Sequence, residues 1–110
     1  MKLWLDDMRP PPPGWEWAKT VEDAQKALES GEVEWASLDH DLGFNQPTGY
    51  DLVKWMMEKN IWPRRMPVVH SMNPVGRENM ETSIQRYFPG QKEDFLNADF
   101  GLDYQRLVLE

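Results

Sequence analysis

No cysteine occurs among the 110 residues. That excludes a disulfide framework and a zinc–thiolate site, and it fits a reducing compartment. Basic residues are scarce, 12 against 19 acidic ones, for a formal net charge of −7. Duplex-DNA binders draw their affinity from Lys and Arg on phosphates, so that class is excluded. A small phosphorylated ligand, held through a metal ion and one or two arginines, is not. Most of the acidity serves solubility; a nucleic-acid mimic is a minor alternative, because the carboxylates form no long run. No apolar stretch approaches the roughly 20 residues of a membrane span, so no membrane is expected as a partner. The N-terminal M-K-L-W-L meets charge at Asp6, unlike a secretory signal. A cytoplasmic protein is expected.

What is present is rich in tryptophan, at positions 4, 15, 17, 35, 55 and 62. Trp4, Trp35 and Trp55 fall on apolar positions and are expected to pack. Trp15 and Trp17 follow a flexible loop and are open to either packing or base stacking.

K-L-W-L (2–5) reads as a first strand. The prolines of M-R-P-P-P-P-G cannot be helix or central strand and form a stiff extended loop. W-E-W-A-K-T (15–20) alternates as a half-buried second strand. Thr20 caps a helix, with Asp23 in the capping-box position and Val21, Ala24, Ala27 and Leu28 on one face. Ser30-Gly31 stops it. E-V-E-W-A-S-L (32–38) is a third strand. After the breaker-rich loop 44–49, a second helix carries Leu52, Val53, Met56 and Met57 on its apolar side and ends by Asn60 and Pro63. M-P-V-V-H (66–70) is a fourth strand. Asn73-Pro74 opens a third helix with Val75, Met80, Ile84 and Tyr87 as its apolar face. Residues 105–110 suit a last strand.

Strands alternating with helices imply an α/β fold with a mostly parallel sheet and right-handed crossovers. Ligands in such sheets bind at the carboxyl ends of the strands. The first strand delivers Asp6, Asp7 and Arg9 there. The third delivers Asp39, His40 and Asp41, within S-L-D-H-D-L-G. The fourth delivers His70, Ser71 and Asn73. Both histidines of the chain lie at this edge.

A lone acid at a strand end is commonly a cap or turn former. Two converging pairs repel and call for a cation. Asp6, Asp7, Asp39 and Asp41 supply hard oxygens suited to Mg²⁺ or Mn²⁺. His40 or His70 can move a proton near neutral pH. Ser71, Asn73 and the start of the third helix suit an anion. Arg9 or Arg77 can neutralise charge on phosphate. The expected ligand is a small phosphorylated nucleotide or an RNA end.

The combination of L-W-L-D-D with Arg9, S-L-D-H-D-L-G, T-G-Y-D and V-H-S-x-N-P-x-G resembles the cyclic-phosphate processing receiver-like family, over roughly residues 1–87. The resemblance implies a receiver-like, doubly wound sheet of order 2-1-3-4-5, within one domain spanning 1–110, with 88–110 as a C-terminal extension. It implies that Asp6 and Asp7 match the acidic pair that holds Mg²⁺ in receivers, and that Ser71 matches the hydroxyl contacting the phosphoryl group. Asp39 matches the phosphoacceptor by its place at the strand end; Asp41 is nearer by its spacing to Gly49. The departures are as informative. The first helix is replaced by the Pro-rich loop, the conserved receiver lysine has no counterpart (Lys92 sits in the wrong pattern), and His40, His70 and Asn73 are additional. The expected activity is metal-dependent processing of cyclic phosphates. A phosphoacceptor domain and a non-catalytic nucleotide- or protein-sequestering module are the alternatives. Phe95, Phe100, Leu102 and Tyr104 of the extension are candidates for a homo-oligomer contact.

Overall fold

The computed structural model describes residues 1–90. The expected strand at 105–110, Lys92 and the apolar residues assigned to an oligomer contact lie outside the described residues. Four strands and three helices alternate in the order β1 (Lys2–Leu5), β2 (Trp15–Ala18), α1 (Val21–Glu29), β3 (Trp35–Leu38), α2 (Gly49–Lys59), β4 (Val68–Val69) and α3 (Pro74–Tyr87). The sheet runs β2-β1-β3-β4 with every pairing parallel. No helix among the described residues is long and apolar enough to cross a membrane.

The register explains both core and site. Leu5 pairs with Leu38, and Leu38 with Val69. One face of that ladder, with Leu3, Leu5, Ala36, Leu38 and Val69, packs against Val21, Ala24 and Leu28 of α1, Leu52, Val53 and Met56 of α2, and Met80 and Ile84 of α3. Alternation sends Trp4, Ser37 and Val68 to the other face. Trp4 is fully buried there, edge-on to Trp15 with ring centroids 6.0 Å apart.

β1 and β2 are parallel neighbours joined without a helix. The loop between them is held by side chains: the Trp4 indole donates to the Arg9 carbonyl at 2.9 Å, and the Trp17 indole to the Asp6 carbonyl at 2.7 Å. Trp15 is accordingly core. Trp17 is more exposed, its ring edge fixed against the end of β1.

Helix starts follow the expected chemistry. Thr20 accepts from the Asp23 amide, Asn73 from the Gly76 amide, and Thr48 forms a reciprocal capping box with Asp51. Asn60 closes α2 in the left-handed conformation, at φ 54°. Three expectations need correction. β4 pairs only at Val68–Val69, because Pro67 has no amide to give to the ladder. β3 begins at Trp35, after the Glu34 amide has turned to the Met1 carbonyl. On α3, Val75 and Tyr87 are exposed, and Gly76, Met80 and Ile84 form the buried face. Val75 lies five residues from Met80, about 140° round the helix. Beyond Tyr87, Phe88 takes the buried place, edge-on to Trp62.

Candidate active site

The ladder does not stop at the last strand residues. The Asp39 amide donates to the Leu5 carbonyl at 2.9 Å, and the His70 amide to the Leu38 carbonyl at 3.0 Å. The next rung is therefore Asp6, Asp39 and His70, side by side across β1, β3 and β4. Their ligating atoms all lie within 4.8 Å of one another. These three residues are a direct product of register. A one-residue slip would send one of them to the opposite face.

Beneath this rung is a buried polar floor. His70 Nε2 is hydrogen-bonded to Asp6 Oδ2 at 3.1 Å, and its Nδ1 to Ser37 Oγ at 2.7 Å. Its ring lies flat on Trp4, with centroids 3.9 Å apart and planes 6° from parallel. The line Ser37–His70–Asp6 has the order of a nucleophilic triad. Ser37, however, is wholly buried and cannot meet a substrate. The arrangement orients the imidazole and nothing else. The second oxygen of Asp6, Oδ1, accepts from the amides of Met8 at 2.9 Å and Arg9 at 2.7 Å.

These contacts set the acids apart. Burial alone would lift the Asp6 carboxyl, but the His70 hydrogen bond and the Arg9 and Met8 amides outweigh it. Asp6 is held below the usual carboxylate value. Asp39 moves the other way. Burial and the neighbouring charge of Asp6 raise it, although the His40 amide and the Ser71 hydroxyl bond to it. A half-buried acid destabilised as an anion beside a second anion is a suitable place for a cation. The two carboxylates suit a divalent ion such as Mn²⁺ or Mg²⁺; the His70 nitrogen beside them is available to an ion only in place of its bond to Asp6.

The rim is assembled separately. His40 Nδ1 is 2.9 Å from Asp41 Oδ1, and the Asn73 amide donates to Asp41 Oδ2 at 3.3 Å. The His40 hydrogen bond, then that of Asn73, holds the Asp41 carboxyl below its usual value. The His40 ring packs on Gly76 in the first turn of α3. A Cβ at Gly76 would come within 2.5 Å of it. Gly49, at the start of α2, lies against the Asp39 carbonyl so closely that any Cβ would collide with that backbone. The glycines of T-G-Y-D and N-P-x-G are thus the points where two helices rest on the Asp39–His40 backbone and the His40 ring.

A cleft of about 430 Å³ opens over the rung, lined by Asp6, Asp7, Met8, Arg9, Asp39, Asp41 and Gly43. Most of the residues expected at the site converge here or beside it. Asp7 and Asp41 line the cleft but stand outside the group of three close donors, and both oxygens of Asp41 are engaged at the rim. Of the two candidate strand-end acids, Asp39 therefore occupies the central place. Ser71 bonds Asp39 and accepts from the Asn73 amide at 3.0 Å. Arg77 is not brought in; its guanidinium lies along α3, 2.7 Å from Glu81. Sequence reasoning missed Trp4 and Ser37. Each stands two residues before an expected acid, Asp6 or Asp39, and so shares its face of the sheet; strand alternation carried that signal.

No curated protein and no solved structure matches the chain. A protein-family model does, over residues 1–86, which include the four strands of the described residues and all the site residues just described. The chain belongs to the family of cyclic-phosphate processing receiver domains.

Proposed function

We propose that the protein hydrolyses cyclic phosphates, either the 2′,3′-cyclic phosphate of an RNA end or a cyclic nucleotide messenger. The single observation that supports this reading is the convergence of Asp6, Asp39 and His70 within 4.8 Å, beside an open cleft. Asp6 and Asp39, with His70 as third donor and Asp7 at the wall, would hold Mg²⁺ or Mn²⁺. Such an ion polarises a phosphoryl oxygen and offsets the charge of the acids. The reaction adds one water: its oxygen bonds to phosphorus, one ring P–O bond breaks, and the departing ring oxygen takes up a proton. The product is a phosphomonoester.

The two histidines then divide the work. His70 has both ring nitrogens engaged and 1% of its side chain exposed, so it positions Asp6, and it would join the ion as a donor only by giving up its Nε2 contact with Asp6. His40 is the proton carrier. With Nδ1–H given to Asp41, its Nε2 is left to accept a proton and return it. Arg9 lines the cleft and neutralises the anion. Ser71 and Asn73 act through the acids, by fixing Asp39 and Asp41.

The test is incubation with 2′,3′-cyclic mononucleotides, cyclic-ended RNA and cyclic dinucleotides in Mn²⁺ or Mg²⁺, with products followed by ³¹P NMR. Ring opening is expected, and Asp39→Asn should lower the rate at least about a hundredfold. No turnover of any substrate, or full activity in Asp39→Asn, overturns the reading. A phosphoacceptor role is the second reading, favoured by the place of Asp39 at the end of β3. Acetyl phosphate in magnesium should then add one phosphoryl group that Asp39→Asn abolishes. Tight binding without product would mark the sequestering module instead.

A further inference from the structure

Exposed apolar side chains are ordinary when scattered. Here Met8, Phe44, and Met72 with Val75 follow the carboxyl ends of the parallel strands β1, β3 and β4, and Trp17 is the next-to-last residue of β2. Phe44 is the extreme case, 91% exposed. It is flanked by two residues of positive φ, Gly43 at 112° and Asn45 at 58°. The backbone on both sides thus adopts conformations that most residues avoid, and the result is a phenyl ring in water. Gly43 itself lines the cleft, and a Cβ there would stand 3.8 Å from Asp7 Oδ2. The root of Phe44 is therefore against the cleft wall.

Trp17 lies on β2, the neighbour of β1, and is tied to the backbone of the cleft residue Asp6. Its indole N–H is fixed to the Asp6 carbonyl at 2.7 Å, and Lys19 Nζ lies 4.3 Å from the ring centroid. Met8, 81% exposed, lines the cleft beside the acids. A cleft lined by acids and the Met8 thioether, with Phe44 next to Gly43 of its wall and Trp17 bonded to the Asp6 backbone, is two-part. The acids need an ion and a phosphate. The apolar surfaces need something flat, and stacking on an aromatic side chain is tolerant of which base is offered.

We infer that Phe44, with Trp17 and Met8, forms a platform for the nucleobase of a ligand whose phosphate sits over Asp6 and Asp39. The inference rests on the cleft being a phosphate site. The ligand class is then a nucleoside phosphate, whether free or at the end of an RNA strand, and not a base-free sugar phosphate.

Calorimetric titration in Mn²⁺ tests it with three probes: adenosine 2′,3′-cyclic phosphate, 1-O-methylribose 2,3-cyclic phosphate, and an RNA hexamer ending in a 2′,3′-cyclic phosphate. The base-free probe should bind about tenfold more weakly than the nucleotide. Phe44→Ala should weaken the nucleotide by about the same factor and leave the base-free probe unchanged; Phe44→Tyr should restore it. A hexamer that binds tighter than the mononucleotide identifies an RNA end, and equal binding identifies a free nucleotide. Equal binding with and without the base, an unaffected Phe44→Ala variant, or no binding of any probe overturns the platform. Base-dependent binding without cleavage sinks the hydrolase reading and keeps the platform. Cleavage that ignores the base does the reverse.

Discussion

His70 keeps 1% of its side chain exposed, whereas His40 keeps 17%. His70 lies in the floor among Trp4, Ser37 and Asp6; His40 lies in the rim, on Gly76 and beside an exposed Asp41. The two rings follow adjacent strands, and each is bonded to an acid that lines the cleft, His70 to Asp6 and His40 to Asp41. In the floor, each polar contact is sealed from water, so a missing partner leaves a desolvated group behind. In the rim, water can replace a missing partner at little cost. Stability is therefore concentrated below the rung of acids, and the proposed chemistry above it.

The sharpest way to break that contrast is to remove each imidazole in turn. His70→Ala leaves the Asp6 carboxylate buried without its partner and a void beside Trp4. It should cost about 3–5 kcal/mol, a large part of the stability of a small domain. His40→Ala should change stability by less than about 1 kcal/mol while lowering turnover by roughly 10²–10⁴-fold. Urea denaturation reads the first and steady-state rates the second. Similar destabilisation by both variants would erase the division between floor and rim.

The same contrast governs what could be read from the sequence. The strand ends were legible because K-L-W-L, E-W-A-S-L and V-V run straight into polar residues, and register then makes Asp6, Asp39 and His70 neighbours. Thr20 and Asn73 announced their helices by side-chain chemistry. The floor was less legible. Ser37 and Trp4 look like core residues in a linear pattern, and only face parity links them to the acids. Arg77 is a cation that the sequence offers to phosphate, yet its guanidinium pairs with Glu81, one turn on. Val75 reads as core because it is apolar, although Gly76 next to it holds the buried position through its contact with His40. A glycine carries no hydrophobic signal, so pattern reading passes over it.

A smaller effect, of opposite sign, is expected at Asp39. Its folded-state pKa is raised, so in the window above the ordinary carboxylate value the folded chain holds a proton that the unfolded chain has released. That contribution is complete below the unfolded pKa and is lost as pH rises through the folded one. At neutral pH the ionised Asp39 is a net cost to folding. Asp39→Asn should raise the melting temperature in EDTA by on the order of a few degrees. It should also lose most of the stabilisation that Mn²⁺ confers on the wild type, about 2.7 kcal/mol at a hundred times the dissociation constant. Thermal scans with EDTA and with Mn²⁺ check both. Lower stability in EDTA would mean that the Ser71 and His40 hydrogen bonds outweigh the repulsion from Asp6.

The smallest stability effect belongs to Asp41, where floor and rim differ most in what water can replace. Its pKa is lowered by the bonds to His40 and Asn73, so its contribution is present above the unfolded pKa and is lost as pH falls through the folded one. With two-thirds of its side chain in solvent (66%), screening leaves less than about 0.5 kcal/mol at neutral pH. Wild type and Asp41→Asn should therefore unfold at nearly the same urea concentration at pH 7, and the remaining gap should close as acid protonates the wild-type group. Turnover should fall further than stability, by about tenfold or more, because His40 would lose the carboxylate that fixes its tautomer and ring orientation. Unchanged turnover in Asp41→Asn would show that the packing on Gly76 alone orients the imidazole. The proton carrier would then depend on α3 rather than on the second acid of D-H-D.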